Sequence, residues 1–183
     1  MPANGQTPGS LIAITLRTVG VDDYQLLRDL YASTRGEEMA LVPWTDEQQA
    51  AFIEMQFQAQ QGHYKKFFPQ ATHEIVLDNG RAVGALYVQR LEREIRIIDL
   101  ILLPKERNAG IGRHLMQTIL DEAGRLRKAV GIYVESFNPS GQFFRRLGFV
   151  ETERSGIHIH MQWFPSGSEH KSDDGNAKRT PPQ

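Results

Sequence analysis

Six residues between a buried apolar run and an amphipathic one carry the clearest chemistry in the sequence: Arg107, Asn108, Ala109, Gly110, Ile111 and Gly112. A helix that begins here leaves the backbone N–H groups of its first turn without intrahelical acceptors, and those groups point at whatever lies above the helix end. Gly110 and Gly112 have no Cβ, which lets an anion approach the backbone closely, while Arg107 and Arg113 add positive charge to the helix dipole. The chemistry is phosphate binding. The same glycines also suit an ordinary tight strand-to-helix turn, and spacing alone leaves both readings open. Two nucleotide loops fit poorly. A dinucleotide fingerprint needs a third glycine where Leu115 stands, and a Walker A loop needs Gly-Lys-Ser/Thr, which the chain lacks. His158 and His160 alternate with Ile157, Ile159 and Met161 and so share a strand face. With no third ligand in view, the pattern predicts an exposed sheet face and no metal site.

The elements that position this loop follow from hydrophobic periodicity. Leu11 to Leu16 alternate weakly as a first strand, and Asp22 can cap a helix in which Leu26, Leu27, Leu30 and Tyr31 recur at helical spacing until about Gly36. Thr45 and Gln48 form a capping box for a second helix, with Phe52, Met55 and Ala59 as its apolar face and a glutamine-rich face toward solvent. Three strand-like runs come next: His73 to Leu77, Ala82 to Arg90 and Ile95 to Leu103. Asp78-Asn79-Gly80-Arg81 is a hairpin turn between the first two, and the three runs make an antiparallel meander. Ile111, Leu115, Ile119, Ala123 and Leu126 then give a third helix one apolar face. Val130 to Val134 is a short buried strand, parallel to Ile95 to Leu103 because a helix connects the two. A fourth helix starts at Asn138 with Pro139 at its first position and stops at Gly148; Phe149 to Glu153 and Ile157 to Phe164 close the sheet as a hairpin. The fold class is α/β (α+β): a mixed, mostly antiparallel seven-stranded sheet flanked by about four helices.

Composition narrows the partners. A chain of 183 residues with 40% apolar content supports one packed domain, placed here at 10–164, with unstructured segments at 1–9 and 165–183. A net charge of −1 gives no field that would draw in nucleic acid or acidic lipid. The absence of cysteine excludes a disulfide framework, a thiolate metal site and a cysteine nucleophile. Without a signal-peptide pattern in Met1 to Ser10 or an apolar run of spanning length, a cytoplasmic protein with no membrane partner is expected.

The segment Leu103-Pro104-Lys105-Glu106-Arg107-Asn108-Ala109-Gly110-Ile111-Gly112 resembles the pyrophosphate-binding signature of the GNAT superfamily of acyl-CoA-dependent N-acyltransferases, Arg/Gln-x-x-Gly-x-Gly/Ala after a strand and a proline. A second segment, Asn138-Pro139-Ser140-Gly141-Gln142-Phe143-Phe144-Arg145-Arg146-Leu147-Gly148-Phe149, resembles the family's later Asn-led helix ending in Leu-Gly-Phe. With the element order, the likeness spans most of Leu11 to Phe164.

The resemblance implies an N-acetyltransferase that uses acetyl-CoA and no metal. It implies that the fourth strand splays from the fifth, with the pantetheine arm in the resulting V, paired to backbone near Leu102 and Leu103, and with one N–H near a bulge stabilising the thioester oxyanion. Direct attack by a neutral amine requires a base, for which Asp99 and Glu135 are the candidates. Asp99 could instead pair with Arg96 or Arg113, and Glu135 could cap a loop. Where the family often has a tyrosine as acid, this chain has Phe144, which can pack on the cofactor but cannot donate a proton. Tyr133, Tyr87 or solvent is left to protonate the thiolate. Asn138 joins the cofactor-binding set by the same likeness.

Acceptor binding in the family falls to the first helices and the closing hairpin. Here that region offers Glu37 and Glu38 for a cationic amine, although a solvated helix end is the preferred explanation of them, and Trp44, read as a core plug. A homodimer through the exposed edge of the final hairpin fits the same fold. The competing function is a non-catalytic acyl-CoA-binding or sensing module, which the phenylalanine at 144 favours.

Overall fold

The structure, a computed structural model, describes residues 13–167, with the side chain of Glu37 outside the described set. Most of both terminal segments expected to be unstructured lies outside the described residues; Pro165, placed at the start of the second, is buried.

Strand β1 (Ile14–Thr18) leads through a 3-10 turn into helices α1 (Tyr24–Met39) and α2 (Asp46–Phe67). The meander β2 (Thr72–Asp78), β3 (Arg81–Arg90) and β4 (Glu94–Leu102) follows, then α3 (Ile111–Leu126), β5 (Ala129–Glu135), α4 (Ser140–Arg146) and the hairpin β6 (Val150–Ser155) and β7 (His158–Trp163). The seven strands form one sheet in the order β1-β2-β3-β4-β5-β7-β6, antiparallel throughout except for β4 and β5. Asn79 and Gly80 both take positive φ between β2 and β3, the turn that the Asp-Asn-Gly-Arg sequence encodes.

Helices cover the two faces unequally. Ile111, Leu115, Met116, Ile119, Leu120 and Ala123 recur at helical spacing and bury α3 against Val88, Ile95, Ile97, Val130, Ile132 and Val134. On the opposite face, Leu27, Leu30 and Tyr31 of α1 meet Ile53 and Phe57 of α2 over Ile75 and Ala85.

Several local expectations shift. Asp23, one residue beyond the expected cap, turns the chain into α1 by accepting from Gly20 N at 2.7 Å and both Arg17 Nη atoms at 2.6 Å. The capping box of α2 forms as read, with Thr45 N donating to Gln48 Oε1 at 2.9 Å. Its buried stripe, however, is Ile53, Phe57 and Tyr64; Met55 is exposed, Phe52 is half-buried, and Gln60 and Gln61 face inward. The glutamine-rich surface is therefore only partly a solvent face. Trp44 is no core plug: it stands 36% exposed, its ring 5.0 Å from Phe52. His160 is buried rather than exposed, with Nδ1 3.0 Å from Thr152 Oγ1.

Two irregularities in β4 matter most. Its register with β3 steps from Val88↔Ile97 to Tyr87↔Asp99, so Ile98 is an extra residue, a β-bulge. Its pairing with β5 covers Glu94 to Ile97 against Ala129 to Ile132 and then ends. Beyond Ile97 the two strands part.

Candidate functional site

Past the fork, β4 keeps its partner on one side only. Leu103 N donates to Val83 O at 2.9 Å, on the β3 side. Strand alternation then aims the N–H and C=O of Leu102 at the gap left by β5. The Leu102 carbonyl accepts from Arg107 Nε at 3.0 Å, and Arg107 Nη2 reaches Ser33 Oγ at 3.3 Å. Arg107 thus ties the loop to β4 and α1 instead of standing over the helix end. Of the two backbone positions expected to meet a cofactor, Leu102 faces the gap and Leu103 is engaged elsewhere.

The loop above the gap is built by conformation. Asn108 has φ 62° and Gly110 φ 86°, both left-handed, and the chain enters α3 at Ile111. A side chain on Gly110 would be strained whatever the space, yet a Cβ there would meet nothing within 4 Å. The surroundings do not demand the glycine; the turn does. Asn108, Ala109, Gly110 and Arg113 are exposed, whereas the Ile111 side chain is core and offers only its amide. A Cβ on Gly112 would lie 3.6 Å from Phe143 and 3.8 Å from Leu102, so α3, α4 and β4 converge at this end of the gap. The first-turn amides of α3 open over that junction and form an anion cradle.

Of the two cofactor expectations around α4, that for Phe144 resolves differently. Asn138 precedes the helix and caps it, with Oδ1 accepting from Ser140 N at 2.9 Å. Phe144 is buried, its ring 5.1 Å from Phe143 and 5.4 Å from Phe149, and presents no surface to a cofactor. Phe143, which the sequence motif passes over, is only partly buried, its ring beside Gly112 at the start of α3.

On the α2 side of the sheet the bulge turns Asp99 toward Tyr64, whose hydroxyl donates to Asp99 Oδ2 at 3.0 Å. Neither Arg96 nor Arg113 is its partner; Arg96 Nη2 donates to Glu94 Oε2 at 3.0 Å. The carboxylate is half-buried in the wall of a small cavity between α2 and the sheet. Burial raises its pKa to about 6, against the opposing pull of the Tyr64 hydrogen bond and the Leu100 amide. Burial and the neighbouring Asp99 charge push the Tyr64 phenol up as well, so it stays a donor. Tyr87, opposite Asp99 in register, is buried with its hydroxyl 3.3 Å from Phe68 O, which it donates to. Sequence reasoning missed Tyr64 as part of this constellation; the signal was its place seven residues after Phe57 on one helical face.

Tyr133 is the first residue of β5 beyond the last paired one. Ile132 and Val134 belong to the α3-side core, so alternation puts Tyr133 on the face that carries Asp99, its ring stacked 4.5 Å from His160. Glu135 ends β5, half-buried, with its carbonyl accepting from Asn138 N at 2.9 Å. Asp99 and Tyr133 thus stand on opposite arms of the fork, on one face. Of the expected acceptor carboxylates, Glu38 does not join them. Glu38 pairs with Arg35 at 3.2 Å at the end of α1, and the Glu37 side chain lies outside the described residues.

A family model described as an acetyltransferase (GNAT) domain matches residues 40–165. No curated protein matches the chain. Among solved structures, PaiA N-acetyltransferase from Thermoplasma acidophilum, in complex with coenzyme A, aligns with TM-score 0.63 at 14% identity, covering 84% of this chain and 99% of that one. Ard1 from Thermoplasma volcanium aligns with TM-score 0.53 at 19% identity over 84% of this chain and 99% of its own. An acetyltransferase from Thermus thermophilus aligns with TM-score 0.58 at 17% identity, over 82% of this chain and 96% of that one. At these identities the likeness is one of fold.

Proposed function

The chain belongs to the GNAT acetyltransferase family, and from that premise we propose that it is an N-acetyltransferase, moving an acetyl group from acetyl-CoA to a primary amine of a small molecule or a protein by direct attack in a ternary complex. The observation that carries the reading is Asp99: a carboxylate brought to about pKa 6 beside the fork of the sheet. A base with that pKa is largely ionised at neutral pH and still holds a proton well enough to take one from an attacking amine.

In this reading the pyrophosphate sits on the amides at the start of α3, with the exposed Arg113 adding charge, and the pantetheine follows the free edge of β4 at Leu102 past Phe143. The amine nitrogen bonds to the thioester carbon while its proton passes to Asp99. A backbone N–H beside the bulge meets the oxyanion. The C–S bond then breaks and the thiolate takes a proton from Tyr133, which stands across the fork where Phe144 has no hydroxyl to give. Glu135 is the weaker candidate for the base, because it lies at the far end of β5. We place the enzyme in the cytoplasm; no helix among the described residues is long and apolar enough to cross a membrane. β6, the outer strand, is the edge available to a second copy.

The buried Phe144 favours one second reading, a module that binds acyl-CoA without turning it over. Thiol release from acetyl-CoA across amines, polyamines, amino acids and peptides separates the two, and the cysteine-free chain adds no background. Acceptor-dependent release is expected; tight binding with no release across the panel would leave the binding module.

A further inference from the structure

We propose that His160 is a positioning residue for the acid of this site: its buried ring, stacked on Tyr133, holds the phenol across the fork from Asp99. The inference rests on Tyr133 as the group that protonates the thiolate. Past the point where β4 leaves β5, the strand beside Tyr133 is β7, and its partner there in register is His160. The two rings are 4.5 Å apart and 25° from parallel. A phenol at the mouth of an opening needs a wall to fix its direction, and the flat face of His160 is that wall.

The histidine is itself fixed from neighbouring strands. Its side chain is 2% exposed. On β6 the register with β7 slips between Glu151 and Glu153, which leaves Thr152 as an extra residue whose Oγ1 lies 3.0 Å from His160 Nδ1. On the other side, Glu94 Oε1 of β4 stands 3.8 Å from His160 Nε2. Glu94 is held in turn: Gln162 Nε2 donates to its Oε1 at 2.9 Å and Arg96 Nη2 to its Oε2 at 3.0 Å. The network lies against Gly131 of β5, where a Cβ would collide with Glu94 Oε1 and come within 3.0 Å of His160 Nε2. Here the surroundings, and not the turn, demand the glycine. Gathering a carboxylate, a guanidinium and an imidazole where water is scarce gains little stability, because desolvation offsets most of the attraction. What the network does fix is the orientation of one ring, and Tyr133 lies against that ring.

The test uses the full chain, acetyl-CoA and the fastest amine of the thiol-release panel, with acetyl transfer followed through a single turnover. His160→Gln keeps a polar side chain and loses the ring, and it should slow transfer about tenfold with acetyl-CoA affinity unchanged in calorimetry. His160→Phe keeps the ring and should stay within about threefold of wild type. Tyr133→Phe should cost more, about a hundredfold. The deciding variant joins Tyr133→Phe to His160→Gln. It should be no slower than Tyr133→Phe alone, because a ring that aims the phenol then has no hydroxyl to aim, whereas a merely structural loss would slow the pair further. Thr152→Val, on the outer strand, loosens the same ring and should slow transfer about threefold on the same terms, which carries the test if the buried variants do not fold. Additive losses in the paired variants, or wild-type rates in both His160→Gln and Thr152→Val, would overturn the positioning role. A wild-type rate in Tyr133→Phe would instead overturn the acid assignment, and the inference with it.

Discussion

The two sides of the fork are built from different material. On the α3 side the site is backbone: positive φ at Asn108 and Gly110, first-turn amides, and a strand edge at Leu102 with no strand beside it. On the α2 side it is made of side chains: Asp99 held by Tyr64 over a cavity that His73 and two glutamines help to wall. A backbone site tolerates change in most of its side chains and fails when a turn fails. A side-chain site depends on single functional groups and on the burial that tunes them. Substitutions that strike one side should leave the other intact.

The sharpest separation comes from Asp99→Asn, which should lower kcat by about 10² to 10⁴ while leaving acetyl-CoA affinity, read by calorimetry, where it was. Next, Gly110→Glu should reverse the pattern. Left-handed strain of about 1–2 kcal/mol at the loop, with a negative charge beside the phosphates, should weaken acetyl-CoA binding by about thirtyfold or more. Turnover at saturating acetyl-CoA should survive. Equal losses in both readouts for either variant would break the division.

Stability offers a third test with the opposite sign. The folded state holds the Asp99 proton up to about pH 6, whereas an unfolded aspartate releases it near the ordinary value of 3.8. This contribution is therefore present below about pH 4 and lost as pH rises to about 6. Asp99→Asn should be more stable than wild type at pH 8, by about 3 kcal/mol in urea melts, and equal to it at pH 3.5. The smallest effect concerns tuning. Tyr64→Phe removes a hydrogen bond that favours the carboxylate, so the acidic limb of the kcat/KM profile should move up from about pH 6 by about one unit.

The same division explains what the sequence disclosed. Element order, the Asn79-Gly80 turn, the α3 stripe and the glycine loop are local and periodic, and they can be read from neighbours in the chain. Asp99 stood out as the lone acid in an apolar run, but its partner did not, because Tyr64 lies 35 residues earlier on another element. The α2 face was misread for a related reason: the helix is weakly amphipathic, and what buries Ile53 and Phe57 rather than Met55 is the docking of α1, while Tyr64 is buried against Phe68 and Tyr87, all of them tertiary facts. Phe143 and Phe144 are adjacent and chemically identical, and only the packing of Phe144 on Phe149 shows which of them is buried and which lies beside Gly112.

The extra residue at Ile98 gives β4 two phases. Ile95 and Ile97 point into the α3 core, Ile98 and Asp99 both point to α2, and Leu100 and Leu102 return to the α3 side. In an unbroken strand Asp99 would lie among the core residues of α3. The extra residue lets one strand set Ile98 and Asp99 side by side on the α2 face, and deleting Ile98 would leave Asp99 on that face in regular alternation while erasing the bulge itself.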